Sequence, residues 1–87
     1  KSYYMDKHFV MWVKTYCPFC VKAKDAAFDQ KVSYTVYIMD DKLEELNGLK
    51  EKWNHSTVPI IIARKNDEEQ LVGGYTEFAK LFRTNND

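Results

Sequence analysis

The sequence predicts an α/β domain in which a four-stranded mixed sheet is flanked by three helices. Three observations lead there. Apolar runs at strand spacing alternate with runs at helical spacing, in the order β-α-β-α-β-β-α. The chain has 87 residues, enough for one hydrophobic core with little room for a second. Apolar residues make up 45% and charged residues 30%, a balance that supports a packed interior rather than a disordered chain. Residues 1–87 are therefore read as a single domain. Residues 1–7 are expected to be a leader outside it, non-native or disordered, because the chain opens on Lys1 rather than Met.

Residues 9–13, Phe-Val-Met-Trp-Val, form a nearly continuous apolar run with two valines, the pattern of a strand buried on both faces. Pro18 suits the first turn of a helix, where its missing N–H costs nothing. Phe19, Val21 or Ala23, Ala26, Ala27 and Phe28 then recur at helical spacing, so a helix is predicted to run to about Gln30. Residues 32–39 alternate and are rich in β-branched and aromatic side chains, which predicts a strand. "DDKLEELNGLKEKW" opens on acids and carries Leu43, Leu46, Leu49 or Lys50, and Trp53 every three or four residues. It predicts a second helix, loosened near Gly48. Residues 58–63 read as a third strand opened by Pro59, "KNDEE" as a polar turn, and residues 70–72 as a short edge strand. Gly73-Gly74 breaks the chain before a last amphipathic helix, "YTEFAKLFRTNN", carrying Phe78, Leu81 and Phe82. The first three elements make a crossover unit, which needs a parallel pair, and the later two strands make a hairpin.

Lys plus Arg equals Asp plus Glu at 13 each, so the formal net charge is zero, and neither a nucleic-acid footprint nor a membrane-surface face is expected. The longest apolar run, residues 58–63, contains a proline and is far too short to span a membrane. No basic-plus-apolar export signal opens the chain, and two cysteines are too few for the disulfide framework of a small secreted domain. A reducing, cytoplasmic setting is the expectation. Aromatics reach 15%, rich for this size, and most are read as core filling.

The chemistry lies in "KTYCPFCVKAKD", which holds both cysteines, Cys17 and Cys20. A structural staple between them closes a four-residue loop worth roughly 2 kcal/mol, a poor use of a domain's only disulfide. A structural zinc site wants four ligands, and the only histidines, His8 and His55, lack ligand spacing and read as solvent-facing. Redox chemistry fits better. A thiolate where a strand ends and a helix begins meets unpaired N–H groups and the positive end of the helix dipole, which lowers the pKa of Cys17. Lys14 and Lys22 add positive potential, while Lys24 reads as part of a solvated helix face. Cys20, one turn inside the helix, is the less accessible thiol. The pair divides into a nucleophile, Cys17, and a resolving thiol, Cys20, suited to thiol–disulfide exchange.

Three motifs in order, "KTYCPFCVKAKD", "TVP" at residues 57–59 and "GGYTEFAKL" from Gly73, resemble the glutaredoxins, and most closely the small dithiol glutaredoxins of bacteria and their viruses. The resemblance covers most of the chain from about His8. It implies the thioredoxin fold and a cis proline at Pro59 that faces the cysteines and aims the backbone of Val58 at glutathione. It also implies a glutathione site formed by Lys14, Tyr16, Thr57, Val58, Pro59, Gly74, Tyr75, Thr76 and Glu77. In the family the N-terminus of the last helix receives a glutathione carboxylate. Glu77 is at odds with that on charge; it is read as meeting the ligand's amino group and as a helix cap, two roles that can hold together. Two positions depart from the family: Phe19 stands where many relatives have Tyr, and Ile60 where many have Gln or another polar residue.

The activity implied is glutathione-dependent reduction of protein disulfides and glutathione mixed disulfides, with glutathione as reducing co-substrate and no metal. Disulfide-bearing client proteins follow as partners, ribonucleotide reductase among them by resemblance alone, and a monomer is the default. Two alternatives stand beside it. One is an iron–sulfur carrier, against which Pro18 and Cys20 argue, since such glutaredoxins usually have Ser as the second cysteine or a small residue after the first. The other is a thioredoxin-like reductant served by a flavoenzyme, disfavoured because thioredoxins resemble W-C-G-P-C.

Overall fold

The computed structural model describes residues 6–83. Four strands, β1 (His8–Val13), β2 (Ser33–Ile38), β3 (Ile60–Lys65) and β4 (Glu68–Gly73), form one sheet in the order β2-β1-β3-β4. Three helices, α1 (Pro18–Gln30), α2 (Leu43–Trp53) and α3 (Tyr75–Lys80), flank it. β1 pairs parallel with β2 and antiparallel with β3, and β3 pairs antiparallel with β4. This is the predicted order, with the parallel pair closed through α1 and the hairpin following. The first five residues of the leader expected over residues 1–7 lie outside the described residues, and the last helix, predicted over all of "YTEFAKLFRTNN", closes at Lys80.

Two cores hold the helices to opposite faces. Phe9, Met11 and Val13 of β1 and Ile61 and Ala63 of β3 meet Cys20, Ala23 and Ala27 of α1 and Phe78 of α3. Trp12 and Ile60 point the other way, toward Met39 and α2, where Leu46 is buried and Leu49 and Trp53 are partly so. Alternation of side chains along β1 and β3 produces this division. Both strands are central, which explains their near-continuous apolar character.

The side of α1 that is buried differs from the one its large residues suggest. Cys20, Ala23 and Ala27 are fully buried, whereas Phe19, Val21 and Phe28 are exposed. Small side chains let the helix axis come close to the sheet, and the bulky residues are left outside. The aromatic content is accordingly less a core property than composition suggests. Phe9 and Phe78 are fully buried and meet edge to face with centroids 5.1 Å apart, while Tyr16, Phe19, Phe28 and Tyr37 are exposed.

The boundaries of the hairpin also move. Pro59 has no N–H to give to a ladder, so pairing begins at Ile60. At the far end the turn is only Asn66 and Asp67, with Asn66 in the left-handed conformation. Arg64 faces Glu69 and Lys65 faces Glu68 across the two strands, and the Arg64–Glu69 pair closes at 3.2 Å. Cross-strand charge pairing accommodates in the ladder residues that a polarity pattern assigns to a turn. The second helix runs unbroken through Gly48 rather than loosening there, and a Cβ at that position would meet no neighbour within 4 Å. Among the described residues no helix is long and apolar enough to cross a membrane.

Candidate active site

β1 ends at Val13, and the chain turns through Lys14, Thr15 and Tyr16 into α1. In the parallel register Val13 lies opposite Ile38, so two residues further on Thr15 comes beside Asp40. The Thr15 N–H donates to Asp40 Oδ1 at 2.9 Å. The Thr15 hydroxyl, then this N–H, and then the positive charge of Lys14 hold the Asp40 carboxyl below its ordinary range. The loop before the cysteines is thus tied to the end of β2 by a residue that no motif marked.

Cys17 is the N-cap of α1, with extended backbone and Pro18 behind it in the first turn. Its sulfur accepts the Cys20 N–H at 3.2 Å, one of the amides that a helix start leaves without an internal partner. The two sulfurs are bonded to each other, with their Cα atoms 5.2 Å apart. Cys17 is partly exposed and Cys20 fully buried, the asymmetry expected of a nucleophile and a resolving thiol. Cys17 Sγ also lies 3.9 Å from the carbonyl oxygen of Val58, 41 residues away. The Val58–Pro59 bond is cis, as the resemblance implied.

A cleft of about 310 Å³ opens beside this contact. Thr57, Val58, Pro59, Gly74, Tyr75, Thr76 and Glu77 line it, so seven of the nine residues expected at a ligand site come together. Lys14 and Tyr16 do not line it: Lys14 is half-buried beside Asp40, and the Tyr16 ring is 97% exposed. Phe19 and His55 line it in addition. Phe19 stacks on Tyr75 with centroids 6.2 Å apart, and Lys22 Nζ sits 5.4 Å from the Phe19 centroid and 5.8 Å from that of Tyr75. The stack joins the start of α1 to the start of α3 at the lip of the cleft. Ile60 is fully buried under α2 rather than in the cleft, so the polar side chain seen in relatives has no counterpart there.

Glu77 caps the last helix. Its Oε1 accepts the Gly74 N–H at 2.8 Å, reaching back from the third residue of α3. That bond, more than the nearby charges of His55 and Lys80, lowers the Glu77 pKa. Gly73 makes the close approach of the side chain feasible. Its φ is +125°, and a Cβ there would meet Glu77 Cγ and Oε1 at 2.9 Å.

The two histidines are less solvent-facing than their polar neighbours suggest. His8 spans Ser33 Oγ at 2.5 Å and Thr35 Oγ1 at 2.7 Å on the adjacent strand. His55 follows the stop of α2 and turns into the cleft. Its position, two residues before "TVP", is the one sequence signal that pointed there.

A thioredoxin-fold domain with a Cys-x-x-Cys pair at a helix start, facing a cis proline, is the class that the fold and site define. Comparison with known proteins narrows it. The Glutaredoxin family model matches residues 9–67. Glutaredoxin-2 of Schizosaccharomyces pombe is 38% identical over 74 residues, covering 78% of this chain and 61% of that protein. Among solved structures, glutaredoxin 1 from Francisella tularensis, crystallised with cacodylate, aligns with a TM-score of 0.69 at 23% identity over 85% of this chain and 90% of that one. The glutaredoxin of E. coli aligns with a TM-score of 0.63 at 28% identity over 85% and 91%. The chain belongs to the glutaredoxin family. It spans about three fifths of the length of the Schizosaccharomyces pombe relative.

Proposed function

We propose that this domain is a glutathione-dependent thiol–disulfide oxidoreductase acting as a monomer. The observation that carries the reading is the placement of Cys17 Sγ, 3.2 Å from the Cys20 N–H at the start of α1 and 3.9 Å from Val58 O at the edge of the cleft. The helix start favours the thiolate over the thiol. The backbone of Val58, on the wall of the cleft, suits an extended cysteinyl peptide laid alongside it, in the manner of an added strand.

On a glutathione mixed disulfide, the Cys17 thiolate attacks the glutathione sulfur. The S–S bond breaks, the client leaves as a thiolate, and Cys17 carries glutathione. A second glutathione thiolate attacks the glutathione sulfur of that adduct, giving glutathione disulfide and free Cys17. On a protein disulfide, Cys17 forms a mixed disulfide with one client sulfur. Cys20 then attacks Cys17 Sγ, the client leaves as a dithiol, and the Cys17–Cys20 disulfide remains. Two glutathione molecules return the two electrons. Glutaredoxins work at roughly −200 to −230 mV, near the glutathione poise, so exchange runs in both directions. The residues assigned to glutathione are Thr57, Val58, Pro59, Gly74, Tyr75, Thr76 and Glu77 in the cleft, with Lys14 and Tyr16, which do not line it. Clients are disulfide-bearing proteins in the cytoplasm, ribonucleotide reductase being the one the family suggests.

The test is turnover of a glutathione mixed disulfide with glutathione, glutathione reductase and NADPH, comparing wild type, Cys17→Ser and Cys20→Ser. Activity is expected to fall to background without Cys17 and to survive without Cys20, whereas reduction of a protein disulfide is expected to fail in both variants. An inactive wild type points instead to a flavoenzyme as reductant, or to a cluster carrier, which visible absorption after anaerobic reconstitution detects.

A further inference from the structure

His55 is the one side chain lining the cleft with a basic ring, and nothing in the exchange mechanism uses it. Its backbone is fixed. Asn54 closes α2 in the left-handed conformation, its N–H bonding Glu51 O at 3.2 Å, and the His55 N–H bonds Lys50 O at 2.9 Å. This paired closure of a helix end leaves His55 little freedom of position. Its Nε2 lies 3.5 Å from the Thr57 hydroxyl, at the outer limit of a hydrogen bond, so that nitrogen is only weakly engaged. His55 Nε2 and Glu77 Oε1 both lie within 4 Å of one point beside Gly74. Glu77 spends Oε1 on the Gly74 N–H and keeps Oε2.

A basic ring and a carboxylate converging on one glycine match a group that carries both charges itself. We propose that His55 is a specificity-determining residue of the cleft: with Glu77 it reads the α-amino-acid end of a peptide thiol, its ring N–H taking the α-carboxylate while the carboxylate of Glu77 takes the ammonium. Gly74 lies between the two groups, a Cβ there standing in ordinary contact with both, 3.7 Å from Nε2 and 3.5 Å from Glu77 Oε1. The inference rests on the glutathione reading, because glutathione presents such an end on its γ-glutamyl residue. A thiol peptide lacking that residue has nothing for His55 to hold.

The experiment compares two mixed disulfides of 2-mercaptoethanol, one with glutathione and one with cysteinylglycine, which lacks the γ-glutamyl group. Loss of one charge-assisted hydrogen bond in H55A is expected to raise KM for the glutathione substrate about tenfold with kcat held within about twofold. KM for the cysteinylglycine substrate is expected to stay as in wild type, which also shows that the variant is folded. H55Q keeps a donor and is expected to recover most of the lost affinity. Equal changes for both substrates, or none, overturn the role of His55, as does an H55Q chain as impaired as H55A. A wild type that turns over neither substrate overturns the glutathione reading and this inference together; normal wild-type turnover with an inert H55A overturns His55 alone.

Discussion

The first half of the chain, β1-α1-β2, and the second, β3-β4-α3, contribute to the site by different means. The reacting sulfurs belong to the first half, and most of what surrounds Cys17 there is local: a proline one residue on and an amide three residues on. One long-range tie, from Thr15 to Asp40, holds the approach. The second half carries no reactive group, yet it supplies most of the cleft wall from residues far apart in sequence, Val58 and Glu77 among them. Reactivity is therefore built by a helix start, and recognition by a hairpin that returns two distant segments to the same end of the sheet. The two halves meet where Phe78 of α3 packs on Phe9 of β1.

That difference can be broken most severely at the junction. Phe78→Ala removes a fully buried ring and is expected to cost about 3–5 kcal/mol in urea denaturation. Phe28→Ala, at a ring that is 72% exposed on α1, is expected to change stability by no more than about 0.5 kcal/mol. Similar losses in the two variants would contradict the packing described for α1.

A smaller effect is expected at the hinge of the second half. Gly73→Ala forces a side chain into φ +125° and displaces Glu77, at a cost of about 1–3 kcal/mol. The same substitution frees the Gly74 N–H, so KM for a glutathione mixed disulfide is expected to rise while the reaction of Cys17 with iodoacetamide keeps its wild-type rate. A slower alkylation would show that the halves are coupled more tightly than the geometry indicates.

The smallest effects are electrostatic and distinguish the halves by pH. Asp40 in the first half and Glu77 in the second both titrate below their ordinary values, 3.8 and 4.5, in the folded chain. A depressed folded pKa contributes stability that is complete above the unfolded value and is lost as pH falls through the folded one. The wild-type urea midpoint is expected to decline between about pH 6 and pH 3, and Asp40→Asn and Glu77→Gln each to flatten part of that decline. Both carboxylates are exposed, so each contribution is modest. An unchanged acid limb in both variants would remove these two bonds from the account of the site.

Much of this is legible in the sequence. The strand–helix alternation, the place of Pro18 and the accessible and hidden cysteines follow from residue type and spacing within a few positions. The hairpin boundaries are not, because Lys65, Glu68 and Glu69 look like turn residues until they pair across strands. Nor is the buried side of α1, where Ala23 and Ala27 outweigh the larger Phe19 and Phe28 because close helix–sheet approach favours small side chains.

Sequence alone determined the order of elements and the reactive pair, since helix starts, alternation and the reach of one turn are properties of neighbouring residues. Only the tertiary structure decided that Asp40 secures the loop before Cys17, that Ile60 is buried beneath α2 while His55 enters the cleft, and that Glu77 caps Gly74. Those placements depend on strand register and on where the hairpin returns the chain, and register is set by the packing of two faces at once rather than by any single stretch.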